Sequence, residues 1–189
     1  LAIFDMAGTT VFDGDAVHTC LSVALAEDSV FRSRDEINAV MGWPKPDAIR
    51  NLLCDPSDDE DRVESRVSII HNRFRAHMLE HYQYGELKEI EGATELFRML
   101  SDNGITVSLD TGFDRQIANL ILKRLGWLEM GLVQFVITSQ DVQLGRPHPD
   151  MIYRAMELTG IKDAGRIAKI GDTPSDLLEG TNAGCGRVI

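Results

Sequence analysis

The chain has 189 residues, enough to bury a substantial core in one domain or in one domain with an insertion. Its 43% hydrophobic content is typical of a globular protein, and no apolar run is long enough to span a bilayer. The formal net charge of -11 disfavours a nucleic-acid surface, which would need clustered Lys and Arg. Cys20, Cys54 and Cys185 form no Cys-x-x-Cys pair, which predicts reduced thiols in a cytoplasmic protein.

The chain begins with a short apolar run of the buried-strand type over residues 1–4. The motif Asp5-Met6-Ala7-Gly8-Thr9-Thr10 follows at once. Polar residues just beyond the carboxyl end of a parallel strand commonly form the ligand site of an open α/β sheet. Asp5 is therefore the first candidate site residue.

The stretch over residues 14–87 is too long for one crossover connection and contains no convincing strand. Apolar residues recur at helical spacing between Val63 and Phe74. We predict a helical cap domain over 14–87, inserted after the first strand. Segments 1–13 and 88–189 would form the catalytic core.

The rest of the chain alternates strand-like runs with amphipathic helical patterns. The predicted strands cover residues 105–109, 135–138, 167–170 and 187–189. The helical patterns begin near Ala93, Ile117 and Ile152, and Asn103-Gly104 closes the first of them. Alternation with short connections predicts a parallel sheet covered by helices on both faces. The predicted fold class is therefore α/β, with a doubly wound, Rossmann-like core.

Three further polar motifs follow predicted strands. They are Asp110-Thr111-Gly112, Gly145-Arg146-Pro147-His148-Pro149 and Gly171-Asp172-Thr173-Pro174-Ser175-Asp176. A lone Gly-Asp-x-x-x-Asp is common in helix caps, but four motifs that each close a strand indicate one shared site. Phosphoryl transfer needs an attacking atom held in line and charge neutralised on three oxygens, which these groups can supply together.

The four motifs resemble those of the haloacid dehalogenase superfamily, whose first motif is usually Asp-x-Asp-x-Thr. The resemblance implies that Asp5 attacks phosphorus, that Thr111 binds a phosphoryl oxygen, and that Arg146 contacts the phosphoryl group and Asp5 in place of the usual Lys. It also implies a magnesium site, held by Asp5, the main-chain carbonyl of Ala7, Asp172 and, in a supporting position, Asp176.

The segment Met41-Gly42-Trp43-Pro44-Lys45-Pro46-Asp47 narrows the likeness to the phosphonatase branch, the family of the phosphonoacetaldehyde hydrolases. In that family, a cap lysine matching Lys45 forms a Schiff base with the substrate aldehyde. Breaking a carbon–phosphorus bond expels a carbanion, which a protonated imine accepts as an enamine. The first motif then needs no second acid, which agrees with Ala7. Apolar neighbours and a helix start at Pro46 favour a neutral Lys45 amine.

The expected substrate-binding residues are Ala7, Gly8, Asp15, Met41 and Gly112. Three positions depart from the family, because Asp15 replaces a Cys, Ala48 replaces a His and Phe113 replaces a Tyr. We hypothesise that Asp15 recognises an extra polar group, such as a hydroxyl next to phosphorus. The family likeness also implies a homodimer that forms through the cap.

The sequence therefore favours a magnesium-dependent hydrolase that cleaves the carbon–phosphorus bond of a small phosphonoaldehyde. One alternative is a phosphomonoesterase of the same superfamily, which would need another acid, for which Asp15 is the candidate. A second alternative is a noncatalytic sensor of a phosphorylated ligand. All three predict a small phosphorylated or phosphonate ligand, with no nucleic acid and no membrane as partner.

Overall fold

The computed structural model describes residues 1–53 and 59–189. Its centre is a five-stranded, all-parallel sheet with strand order β3-β2-β1-β4-β5. The strands are β1 (Ala2–Asp5), β2 (Val107–Thr111), β3 (Phe135–Thr138), β4 (Ala168–Ile170) and β5 (Arg187–Val188). Each of these strands coincides with a predicted one, and their ends differ by two residues at most.

The described residues also form eight α-helices. These are α1 (Ala16–Ala26), α2 (Arg34–Asn38), α3 (Lys45–Leu53), α4 (Glu60–Tyr84), α5 (Ala93–Asp102), α6 (Arg115–Leu125), α7 (Asp150–Thr159) and α8 (Pro174–Ala183). Helix α5 ends at Asn103-Gly104, as the sequence predicts, and Gly104 has the positive φ of 71° that this kind of helix end requires.

Helices cover both faces of the sheet, which confirms the doubly wound α/β fold. Side chains of β1 alternate between the faces. Phe4 packs with α5 and α6 in the larger hydrophobic cluster, whereas Ile3 belongs to a second cluster with α7 and α8. Phe97 of α5 lies between Phe4 and Trp127, with ring centroids 5.2 and 5.1 Å away.

The central position of β1 determines where a ligand site can form. Its partners β2 and β4 lie on opposite sides, so the order in which the chain adds strands reverses at β1. Asp5 stands opposite Asp110 in the β1–β2 register, and Phe4 stands opposite Ile170 in the β1–β4 register. The polar residues that follow these strands therefore meet at one edge, at the topological switch point of the sheet.

Helices α1 to α4 lie between β1 and α5, and we call them the helical insertion. Helix α4 packs against α1 and α3 within the insertion and against α6 of the core. An ion pair between Arg75 and Asp114 also joins α4 to the start of α6. One hydrophobic cluster runs through both parts. The division into a core and a separate cap domain over 14–87 remains our proposal.

Cys20 is a buried free thiol and Cys185 is a partly buried one, while Cys54 lies outside the described residues. Among residues 1–53 and 59–189, there is no helix with both the length and the apolar character needed to cross a bilayer.

We expect Phe97→Ala to lower the free energy of unfolding by about 3–5 kcal/mol, because it removes a fully buried ring from between two others. Met99→Ala is the matched control, since Met99 lies on the same helix but is 55% exposed and should cost no more than about 0.5 kcal/mol. Urea unfolding measures both values. Equal losses would contradict this account of the core.

Candidate active site

A pocket of about 230 Å³ opens between the carboxyl edge of the sheet and the helical insertion. It brings together every predicted site residue except Asp176. The predicted residues that line it are Asp5, Ala7, Gly8, Asp15, Met41, Lys45, Thr111, Gly112, Arg146 and Asp172. Asp176 lies beneath the pocket, with its side chain fully buried against Arg146. A larger cavity of about 610 Å³ shares only Gly112 and Arg146 with this pocket.

Asp5 ends β1 and is 4% exposed. Thr10 fixes the turn after it by donating its hydroxyl hydrogen to the Asp5 main-chain oxygen at 2.9 Å. Burial raises the pKa of the Asp5 carboxyl to about 7, and the nearby Arg146 guanidinium opposes this shift. Asp5 is therefore a nucleophile candidate whose ionisation depends on the cations around it.

Arg146 is buried, and carboxyl and carbonyl oxygens of the protein surround its guanidinium group. It donates hydrogen bonds from Nε to Glu179 (3.2 Å) and from Nη2 to the Asp110 side chain (2.6 Å) and main-chain oxygen (3.0 Å). Its Nη1 lies at ion-pair distance from Asp5 (2.7 Å) and Asp176 (3.0 Å). The contact of Arg146 with a phosphoryl oxygen stays a prediction.

Lys169 is a charged residue of this site that the sequence analysis missed. It is fully buried in β4, and its Nζ contacts Asp110 at 2.5 Å, Asp176 at 3.0 Å and Glu179 at 3.1 Å. The detectable signal was a lysine inside a predicted buried strand, since a buried lysine is nearly always paired.

This cluster, which we call the buried charge cluster, contains four carboxylates but only two cations. The acids are Asp5, Asp110, Asp176 and Glu179, and the cations are Arg146 and Lys169. Two negative charges are in excess if every acid is ionised. Burial, reinforced by Asp110, raises the pKa of Glu179 to about 8.

A divalent cation fits this excess of negative charge, and carboxylate oxygens are the ligands that magnesium prefers. Oxygens of Asp5, Asp110 and Asp176 lie within 4.8 Å of one another. Arg146 and Lys169 already contact both Asp110 and Asp176, so a further cation is better accommodated on the pocket side of Asp5.

Asp172 supplies a carboxylate on that side. Thr9 donates its hydroxyl hydrogen to Asp172 Oδ1 at 2.9 Å. Gly8 has a φ of 90°, and a Cβ atom there would stand 2.4 Å from Asp172 Oδ2, so only glycine permits this approach. Asp172 therefore lies directly against the turn that contains Ala7.

Thr111, the last residue of β2, is buried at the pocket wall. Its Oγ accepts a hydrogen bond from the Phe113 main-chain N–H at 3.1 Å. The hydroxyl hydrogen of Thr111 is thus left to donate to a ligand oxygen.

Lys45 is the first residue of α3 and is only 5% exposed. Its Nζ donates to the Trp43 main-chain oxygen at 3.4 Å and lies 6.0 Å from the centre of the Phe74 ring. Burial is the main cause that lowers the pKa of its amine to about 8, while the Asp5 carboxylate opposes the shift. A substantial fraction of this amine is therefore neutral near physiological pH.

The loop before Lys45 rests on two glycines of the core. A Cβ atom at Gly112 would lie 3.3 Å from the Trp43 main-chain oxygen, and one at Gly145 would lie 2.5 Å from Cγ of Pro44. These close approaches hold the start of α3 against the sheet edge.

Asp15 lines the pocket, but both of its carboxylate oxygens bind Arg34, at 2.9 and 2.5 Å. Arg34 lowers the pKa of Asp15, so this acid stays ionised. Its recognition of a substrate hydroxyl stays a prediction.

Asp13 is a pocket residue that the sequence analysis missed. Its side chain accepts the Val17 N–H at the start of α1, at 3.3 Å, and the Tyr82 hydroxyl donates to it at 3.5 Å. The signal was an aspartate shortly before a helix, but that spacing also fits an ordinary helix cap.

Comparison with known proteins identifies the family of the chain. Residues 2–189 match the family described as Haloacid dehalogenase-like hydrolase. A phosphonoacetaldehyde hydrolase from Bacillus cereus is 33% identical over 98% of this chain and 73% of its own length. Among solved structures, a phosphonoacetaldehyde hydrolase-like protein from Oleispira antarctica has a TM-score of 0.83 at 23% identity, covering 97% of this chain and 69% of that one. A predicted phosphoglycolate phosphatase from Haemophilus somnus has a TM-score of 0.76 at 18% identity, covering 98% and 82%.

The chain therefore belongs to the haloacid dehalogenase-like hydrolases. Within this superfamily it is similar to the phosphonoacetaldehyde hydrolases, as the segment around Lys45 predicts.

We expect the free energy of unfolding in EDTA to fall as the pH rises from about 5 to 8. Folded Glu179 keeps its proton up to about pH 8, whereas the unfolded side chain loses it near the ordinary pKa of 4.5, so the folded state binds more protons in this interval. The Gln side chain in Glu179→Gln cannot titrate, so the free energy of unfolding should fall less steeply with pH in this variant. Urea unfolding across this pH range measures it, and an unchanged slope would contradict the proposed charge excess.

We expect Gly145→Ala to loosen the contact between the insertion and the core, because its methyl group would overlap Pro44 and cost the closed arrangement about 1–3 kcal/mol. Acrylamide quenching of tryptophan fluorescence should increase, since Trp43 is half-buried at this contact and Trp127 is fully buried. Gly165→Ala, in an exposed turn away from the contact, is the control. Unchanged quenching in Gly145→Ala would refute the expectation.

Proposed function

We propose that the protein hydrolyses the carbon–phosphorus bond of a small phosphonoaldehyde. The observation that carries the proposal is the burial of the Lys45 amine in the same pocket as Asp5, with its pKa lowered to about 8. A buried, partly neutral lysine beside a carboxylate nucleophile suits imine chemistry combined with phosphoryl transfer.

Lys45 condenses with the substrate aldehyde and releases water. A carboxylate oxygen of Asp5 then bonds to phosphorus while the carbon–phosphorus bond breaks. The electron pair of that bond moves into the protonated imine, which becomes an enamine. Protonation and hydrolysis of the enamine release the aldehyde and restore Lys45, and hydrolysis of the aspartyl phosphate releases phosphate and restores Asp5. Ala7, which cannot donate a proton, is compatible with every step.

Magnesium would be held by Asp5, the main-chain carbonyl of Ala7 and Asp172, with Asp176 supporting Arg146 next to Asp5. When bound, the metal would offset the charge of the phosphoryl oxygens and of the nearby carboxylates. Thr111 would donate its hydroxyl hydrogen to a phosphoryl oxygen, with Gly112 beside it in the pocket wall. Arg146 would hold Asp5 in line for attack.

The pocket volume of about 230 Å³ supports a substrate with few heavy atoms. Gly8 and Met41 lie in the wall around the space that such a substrate would fill. The helical insertion carries Lys45 and would act as the cap that excludes water from the reaction.

The rival function is a phosphomonoesterase of the same superfamily, and the predicted phosphatase among the similar structures keeps it open. It requires an acid to protonate the leaving oxygen. Asp15, the candidate acid, is bound to Arg34 with its pKa lowered, which favours the carbon–phosphorus hydrolase instead. A sensor role remains the third alternative, and metal-dependent release of phosphate from any substrate would exclude it.

We expect borohydride reduction in the presence of phosphonoacetaldehyde to label Lys45 covalently, because reduction converts its imine into a stable secondary amine. Lys45→Arg keeps the positive charge but cannot form an imine, so it should lose the label and lower kcat by about 10³-fold or more. Peptide mass spectrometry locates the label, and release of inorganic phosphate measures the rate.

Lys88→Arg is the control, since Lys88 is an exposed lysine outside the pocket. The same phosphate assay is run on simple phosphate esters, with magnesium and with EDTA. Turnover of esters by Lys45→Arg at the wild-type rate, together with no labelling of the wild type, would replace the proposed function with the phosphomonoesterase.

A further inference from the structure

Asp13 is a carboxylate that the proposed reaction does not yet use. It lines the same pocket as Asp5 and Lys45, and its side chain is half-buried. Asp15, two residues later, is bound at both oxygens by Arg34. The contacts of Asp13 are weaker, since the Val17 N–H and the Tyr82 hydroxyl approach it at 3.3 and 3.5 Å.

Several titratable groups surround Asp13 from different elements. They are Lys45 of α3, His81 and Tyr82 of α4, Cys20 of α1 and Asp15 of its own loop. Burial raises the pKa of Asp13, whereas the positive charges of His81 and Lys45 lower it. Burial lowers the pKa of Lys45, whereas the negative charge of Asp13 raises it. The two groups thus interact electrostatically and have pKa values shifted toward each other, which favours proton transfer between them.

Imine formation needs such a proton carrier at Lys45. The ammonium must lose a proton before nitrogen can attack the carbonyl carbon, and the hydroxyl of the resulting carbinolamine must gain one before it can leave as water. A group that serves both steps has to line the pocket that contains Lys45, as Asp13 does, and must not be neutralised by an ion pair at both oxygens, as Asp15 is.

We propose that Asp13 carries protons between Nζ of Lys45 and the oxygen of the substrate carbonyl while the imine forms. This role rests on the proposed carbon–phosphorus hydrolase function. It assigns a catalytic task to a residue that belongs to none of the four strand-end motifs.

The protons and electrons balance as follows. The Asp13 carboxylate takes one proton from the ammonium, and the nitrogen lone pair bonds to the carbonyl carbon while the π pair moves to oxygen. Asp13 delivers its proton to that oxygen and then takes a second proton from nitrogen. It gives this proton to the carbinolamine hydroxyl, which leaves as water while the nitrogen lone pair completes the C=N bond. The products are the iminium and water, and the Asp13 carboxylate is restored.

A purely structural role for Asp13 is capping of helix α1, and one substitution separates the two roles. Asp13→Asn keeps an oxygen for the Val17 N–H and the Tyr82 hydroxyl but cannot carry a proton, and Asn caps helices about as well as Asp. We expect the melting temperature to change little. The rate of borohydride-trapped imine formation at Lys45 with phosphonoacetaldehyde should fall by about 10²-fold or more.

Asp59→Asn is the matched control, because Asp59 caps α4 through its side chain within the same insertion and lies outside the pocket. Asp13→Ser, a second variant with an N-cap side chain, should show the same loss of trapping rate. In Asp13→Asn the acidic limb of the pH dependence of trapping should shift to lower pH, because the variant lacks the carboxylate that raises the pKa of Lys45, and in Asp59→Asn the limb should not shift.

The outcomes distinguish the two proposals. The role of Asp13 is refuted, and the proposed function stands, if wild-type Lys45 is trapped and an Asp13 variant is trapped at the same rate. The variant used for this comparison must keep the wild-type melting temperature. If wild-type Lys45 is not trapped by phosphonoacetaldehyde, the proposed function fails and the role of Asp13 fails with it. Slow trapping in Asp13→Asn and Asp13→Ser, with normal trapping in Asp59→Asn, supports the proposed function and the role of Asp13.

Discussion

The buried guanidinium of Arg146 is the interaction on which the site depends. It holds acids from β1, β2 and α8 in one buried cluster, so separate elements converge on Asp5, the proposed nucleophile. Replacing a lysine at this position by arginine is not a conservative change, because the planar fork fixes several carboxylates at once, whereas an ammonium acts as a point charge. The arrangement concentrates negative charge under the pocket, and this charge is the basis for the magnesium site that we propose above Asp5. Removing Arg146 would leave the four carboxylates of the cluster with Lys169 as the one remaining cation of that cluster.

Sequence reasoning predicted those parts of the fold that local rules determine. Strand β1 was recognised because it is buried on both faces and therefore continuously apolar, and α5 because Asn103-Gly104 stops a helix. The site residues at strand ends followed from topology, since Asp5, Thr111 and Asp172 are brought to one edge by any parallel sheet of this order.

The missed residues depend on contacts that no local pattern contains. Lys169 and Glu179 are 10 residues apart and lie on a strand and a helix, so their pairing becomes visible only once α8 packs on β4. Asp13 resembles a helix cap in sequence, and only the fold places Lys45 and Tyr82 around it. The apolar neighbours of Lys45 predicted its burial. They did not predict that its loop packs against Gly112 and Gly145, because this contact joins segments that are far apart in the chain.

The two groups that the proposed reaction uses belong to different parts of the molecule, since Lys45 begins a helix of the insertion whereas Asp5 ends a strand of the sheet. A substrate attached to Lys45 and attacked by Asp5 would therefore be a temporary cross-link across the pocket. The insertion could not swing away while that link persisted, so the reactants would stay enclosed without a separate latch. In the proposed reaction, scission of the carbon–phosphorus bond would cut the cross-link and leave one product on each half, so the molecule would open only after the difficult step is complete.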